Sequence, residues 1–277
     1  MEFQRHTYKK FALMQLKGRW RVAIFAALLS VAISVIFSFT TPTTSFTAED
    51  LEYLANSSLQ EYFTYLTSNP SSPYSPPVMI LSFISMLVGF ILEIALVHLF
   101  IVYSRSPDPV SISVVFDGLN KWARGILGGL WRLLWLTIWG LIAIPVAVIV
   151  VIPFSLIAVN LSENALVSIM GLAILIGFIP MFIKSIEYNF IMYFLAEFPE
   201  VGVRKALRFS KLIVRGHRWD IFVTILSFIG WFALGAISFG VGFIWVIPYY
   251  DMTMTNAYHA LLKDALENQK ILPEDLN

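Results

Sequence analysis

Apolar residues in this chain come in long, nearly unbroken runs. They follow neither the alternation of a half-buried strand nor the narrow stripe of a surface helix. Six runs approach or exceed the roughly 20 residues that a helix needs to cross a bilayer's hydrocarbon core. They cover residues 20–39, 78–103, 130–157, 168–195, 221–239 and 243–262. The third and fourth are longer than needed, which predicts tilt or continuation past the membrane surface. The sixth is diluted by Asp251, Asn256, His259 and several threonines. The pattern predicts an all-α integral membrane protein with six transmembrane helices, as one membrane domain over residues 1–277. The first run begins only at Trp20, and Phe39-Thr40-Thr41-Pro42 is a poor cleavage site, so a retained span is expected rather than a signal peptide.

Composition agrees with this pattern. Apolar residues make up 58% of the chain and charged residues 13%, against about 25% charged in ordinary soluble domains. A mean hydropathy of +0.75 is more than a globule of this size can hide from water. These values argue against a soluble enzyme and a disordered chain. With 19 Lys and Arg against 18 Asp and Glu, nothing draws the chain to nucleic acid. Cysteine is absent, which excludes disulfides, thiolate catalysis and Cys-ligated zinc.

The cations are unevenly placed. Seventeen of the 19 fall in the N-terminal segment, the second connection, residues 196–218 and the tail, and none falls in residues 40–77, 158–164 or 240–242. By the positive-inside rule both termini are expected in the cytoplasm. Residues 40–77 then form an outside loop, residues 196–218 a cytoplasmic basic segment and residues 263–277 a cytoplasmic tail.

In the outside loop, Thr47 followed by Glu49 and Asp50 suits a helix start. Leu51, Leu54, Leu59, Tyr62, Phe63 and Leu66 continue at helical spacing, which predicts an amphipathic helix. It would cover the outer span ends, or serve as a lid or docking surface. Residues 110–121 are expected as a second amphipathic helix along the inner surface. In residues 199–218, Arg204, Arg208, Lys211 and Arg215 fall in one helical stripe about 60° wide. The stripe suits anionic lipid headgroups or a protein partner, or is simply the orientation signal.

Ionisable groups inside spans are the default candidates for function. Here they are Glu93, His98, Lys184, Glu187 and Asp251. Lys184 and Glu187 stand three apart and can pair on one helix face. Glu93 has no basic residue within a helical turn, so Glu93 and Asp251 should face the bundle interior, be protonated, or meet Lys184. Such groups could line an ion or solute pathway, or clasp helices together. Trp131, Trp135 and Trp139 form an aromatic stripe expected to anchor the inner interface and grade into packing. Gly125 and Gly129 permit close helix approach, and Pro145, Pro153, Pro180 and Pro248 predict kinks. Leu81-Ser82-Phe83-Ile84 recurs as Leu226-Ser227-Phe228-Ile229, in spans of opposite direction, as an inverted repeat would require. Motifs for hydrolases, zinc peptidases and nucleotide-binding loops are missing, so neither catalysis nor a cofactor nor a metal is expected.

The closing stretch from Phe209 to Leu261 contains SFIGW (Ser227–Trp231), a Gly-x-Gly turn at Gly240 and Gly242, then Trp245, Pro248 and Tyr249. This resembles the C-terminal signature of the bacterial polytopic membrane family catalogued as domain of unknown function 975. LKGRW (Leu16–Trp20) is similar to that family's opening, and Ile179–Glu200, with Pro180, Lys184, Ser185 and Tyr188, to its central segment. Arg21 and Met181 depart from the small residue and the Gly usual at those places. The resemblance implies a multi-pass bacterial plasma-membrane protein, and it implies no activity. The sequence leaves three readings. The first is a non-catalytic scaffold or regulator of envelope components, in contact with membrane lipids and a membrane-protein partner. The second is a transporter or channel subunit with an intramembrane polar site. The third is an intramembrane lipid-modifying enzyme.

Overall fold

A computed structural model describes residues 3–40, 57–68, 74–108, 110–142, 145, 149 and 163–276. Among these residues the chain is helical, with no strand. Helix α1 (Arg5–Leu16) turns into α2 (Trp20–Thr40) through Gly18, whose φ of +77° suits a residue without a Cβ. Helix α3 (Leu59–Ser68) starts on a reciprocal cap. The Ser58 N–H and hydroxyl donate to Glu61 Oε2 at 2.9 Å, and Ser58 Oγ accepts the Glu61 N–H at 3.3 Å. Thr47, Leu51 and Leu54, expected earlier in this helix, lie outside the described residues.

Helix α4 (Pro76–Arg105) opens on prolines, which lack only N–H groups that a first turn leaves unpaired anyway. The short α5 (Ser113–Leu119) and α6 (Trp122–Leu141) fold back along it. A Cβ on Gly125 would stand 2.6 Å from Ile94 Cγ2 and 2.9 Å from the Phe90 carbonyl oxygen, so this approach needs glycine. Then come α7 (Glu163–Glu187), α8 (Ile191–Glu197), α9 (Val203–Val214), α10 (Arg218–Leu226), α11 (Ile229–Ile237) and α12 (Phe243–Glu267). A 3-10 turn, Pro273–Asp275, ends the described chain.

Four segments are long and apolar enough to cross a membrane: Trp20–Phe37, Pro76–Arg105, Leu175–Glu197 and Arg218–Ile237. They coincide with the first, second, fourth and fifth predicted runs. The third run begins within α6 and continues largely outside the described residues. The sixth is one helix, α12, whose polar residues keep it below the apolarity of the others. The fourth and fifth are not continuous helices. The fourth breaks at Tyr188–Phe190, between α7 and α8, and the fifth at Ser227–Phe228, between α10 and α11. The four-residue echo therefore falls mid-helix at Leu81–Ile84 but across a break at Leu226–Ile229, so it marks no structural repeat.

The molecule has two unlike ends. At one, α8 and α9 sit among the C-terminal half of α4, the start of α6 and α12. Phe190, Tyr193, Phe194 and Tyr258 form a buried aromatic cluster, with Tyr193 and Tyr258 4.9 Å apart and Phe194 edge-on to Tyr258 at 5.4 Å. Basic side chains seal it. Arg124 donates to the carbonyls of Leu195 (3.0 Å), Phe198 and Val201 (both 2.8 Å) and Pro199, satisfying the orphan acceptors at the end of α8. Lys121 donates to the Ala196 carbonyl and Arg105 pairs with Glu197. Burial, and then the neighbouring Arg124 charge, draw the Lys121 ammonium below its ordinary value.

At the other end the apolar residues face outward. Met79, Ile80 and Phe83 on α4, Leu134 and Ile138 on α6, Phe178 and Phe182 on α7, and Ile229 and Ile237 on α11 are all exposed. Phe239, at the turn into α12, is 99% exposed. Water would penalise such a surface and an acyl environment would not. These long apolar helices are compatible with a membrane-embedded protein.

Candidate functional site

The intramembrane candidates are mostly held in ion pairs. Glu93, on α4, receives a two-pronged contact from Arg132, on α6, at 2.5 Å (Nη1–Oε1) and 2.6 Å (Nη2–Oε2). The guanidinium fork matches the carboxylate, the strongest form of this pair. Lys184 is thus not the partner of Glu93. Its ammonium lies 2.7 Å from Glu187 Oε2 on the same helix. Asp251, on α12, is half-buried and makes no ion pair among the described residues. Its electrostatic neighbours are Glu93, Tyr193 and Tyr250. His98, with its Nδ1 3.0 Å from Lys121 Nζ, belongs to the capped end of α8. Among the described residues no group of His, Asp and Glu could hold a metal.

Glu187 is the hub of the α7–α8 break. It is 2% exposed and pairs with both Lys184 and Arg218, the first residue of α10. The backbone there is completed by Ser210, on α9. Its Oγ donates to the Glu187 carbonyl at 2.6 Å and accepts the Phe190 N–H at 3.2 Å. A buried hydroxyl from another helix thus supplies the bonds that the helix gives up. The amphipathic pattern of α9 places Ser210 on its inner face, but nothing in the sequence indicates which backbone it serves.

The basic stripe divides in two. Arg204 lies 5.5 Å from the Trp131 ring, and Lys211 lies 5.5 Å from Trp135 and 5.2 Å from Tyr188. Lys184 completes the ladder over Trp139 at 4.9 Å. Each of these three tryptophans thus meets one cation, worth roughly 0.5–2 kcal/mol depending on solvation. The stripe packs against the protein, while α6 turns Leu134 and Ile138 outward. Burial, and next the Lys184 charge, lower the affinity of Lys211 for its proton. Arg208 and Arg215, exposed like Arg204, face none of these rings.

The motif positions near the C-terminus gather around α11 and α12. Ser227 stands at the α10–α11 break, where its carbonyl accepts from Lys9 Nζ at 3.3 Å and the Lys9 ammonium lies 4.2 Å from the Phe228 ring. At the end of α11, the Gly240 N–H bonds the Gly235 carbonyl and the Phe239 N–H that of Ala236, both at 3.0 Å. This is a Schellman closure, with Phe239 at φ +52° and Gly240 at φ +90°. A Cβ on Gly242 would fall 2.8 Å from Gly235 Cα, so α12 can start against α11 only with glycine there. Pro248 is buried within α12, and Tyr249 packs edge-on to Phe228 at 5.0 Å and to Trp231 at 6.2 Å. Trp231, Gly242, Trp245 and Tyr249 line one apolar groove of about 420 Å³, with Leu13 and Trp20 from α1 and α2.

The opening LKGRW segment also has a structural role that spacing alone did not indicate. Leu16 is fully buried, Gly18 makes the turn, and Arg19 donates to the carbonyls of Ser106 (2.6 Å) and Asp108 (2.9 Å) at the end of α4. Trp20 then reaches the groove.

No curated protein and no solved structure matches this chain at a significant level. A family model does, over residues 1–265 of the 277. That stretch takes in the LKGRW turn, the α7–α8 break and all but the last two residues of the α11–α12 hairpin. The chain therefore belongs to the family described as Protein of unknown function (DUF975).

Proposed function

We propose that the protein is a non-catalytic scaffold or regulator of envelope components in the bacterial plasma membrane. It would cross the membrane six times, with both termini in the cytoplasm. The observation that carries this reading is how charge is used. Glu93 pairs with Arg132 of α6 and Glu187 with Arg218 of α10, as a clasp between helices requires, and Lys184 pairs with Glu187 on its own helix. The exposed Arg208 and Arg215 face outward from the packed end, available to anionic headgroups or a protein partner.

One observation favours transport as a second reading: the half-buried Asp251 carboxylate, without an ion pair among the described residues, beside Glu93 and two tyrosines. Two assays on the same preparation separate the readings. A scaffold co-purifies a defined membrane partner and loses it when Arg208 and Arg215 are both changed to Glu. A transporter gives solute flux in reconstituted vesicles that Asp251→Asn abolishes without loss of folded protein. Flux of that kind would overturn the scaffold reading, as would a partner that remains bound after the charge reversal.

A further inference from the structure

The apolar groove invites a ligand that the charge clasp does not explain. We propose that it seats one acyl chain of an anionic phospholipid from the inner leaflet, with the lipid phosphate held by Lys10 and Lys17. This rests on the reading of the chain as membrane-embedded.

The groove is lined by indole, phenol and aliphatic side chains, and the Ser238 hydroxyl at its edge is already engaged. It donates to the Gly235 carbonyl and accepts the Gly242 N–H, both at 2.8 Å. A hydrocarbon chain suits such a lining, and a polar head must then sit at the mouth. Helix α1 forms that mouth. It is strapped across three helices: Lys9 donates to the Ser227 carbonyl beside α11, Asn256 of α12 donates to Gln15 at 2.8 Å, and Gln15 donates to the Ser104 carbonyl of α4 at 3.1 Å. So fixed, α1 presents Lys10 and Leu13 at i and i+3 on one face, and Lys17 follows as its C-cap residue. Leu13 lines the groove, and Lys10 and Lys17, about one turn to either side of it along the chain, are exposed.

Phe11 and Met14 are exposed beside them, as in a helix lying in the headgroup region. The sequence from residue 3 to residue 48 contains no Asp or Glu, so this segment supplies no acid to neutralise its own lysines. Charge complementarity therefore selects an anionic head over a zwitterionic one.

Native mass spectrometry of the full chain, released from nanodiscs of equal phosphatidylglycerol and phosphatidylcholine, tests the proposal. Wild type should retain one phosphatidylglycerol with a roughly tenfold preference. K10Q/K17Q should bring the two lipids to near parity. Leu234→Trp, which narrows the groove from a lipid-exposed position, should reduce retention of both. Equal retention in wild type, or a preference unchanged in K10Q/K17Q, overturns the site, and so does undiminished retention in a folded Leu234→Trp protein. If Leu234→Trp fails to fold, the lysine variant decides. Recovery of wild type in the aqueous fraction without detergent would instead overturn the membrane embedding itself.

Discussion

At the scale of single residues, the chain's charges find partners far away in sequence. Glu93 and Arg132 are 39 positions apart and Ser210 serves a backbone break 20 positions upstream. Sequence reading could rank Glu93 as costly inside a membrane, because a lone charge there costs roughly 2.5–3.5 kcal/mol on insertion scales. It could not name Arg132 as the partner, since hydropathy reports depth and periodicity reports face, but neither reports which faces meet. Arg132→Met is expected to destabilise the folded protein by up to about 3 kcal/mol, because Glu93 would be stranded. Glu93→Gln/Arg132→Met should recover most of that loss. A double-mutant cycle of thermal unfolding in detergent checks this, and simply additive losses would show that the pair is not coupled.

At the scale of elements, apolar run length located four long helices, and helical spacing located the basic stripe of α9. The two breaks were not legible. Neither Tyr188–Phe190 nor Ser227–Phe228 contains a proline or a glycine to mark it, and each is stabilised by groups from elsewhere: Ser210 and Arg218 at the first, Lys9 at the second. The tryptophan stripe was visible as a stripe, but its cation partners were not, because the residues of α9 and α6 are far apart in the chain.

The end of α12 offers a pH test. Asp264 is held below an ordinary aspartate value, first by the hydrogen bond from Lys270 Nζ at 2.8 Å. A folded-state value below the unfolded one stabilises fully above the unfolded value and is lost as pH falls through the folded one. Amide protection at Ile271 and Leu276, both buried, should therefore stay flat from pH 7 down to about 4 and fall below that. K270M should weaken protection even at neutral pH and flatten its acid dependence. Loss of protection in wild type between pH 5 and 7 would point to a different group.

At the scale of the whole molecule, one end is packed, charged and sealed by backbone-capping arginines, and the other shows Phe239, Ile237 and their neighbours to the surroundings. That polarity suits a chain whose sealed end lies at the cytoplasmic surface and whose apolar flanks lie in lipid. The absence of cysteine makes the most direct measurement clean, because any introduced thiol is unique. Single cysteines at the exposed Thr67, Arg208 and Lys263 can be exposed to a membrane-impermeant maleimide. In intact bacterial cells the account expects labelling of Thr67→Cys alone, with Arg208→Cys and Lys263→Cys reacting only after the membrane is opened. Equal labelling of either cytoplasmic position in intact cells would contradict it.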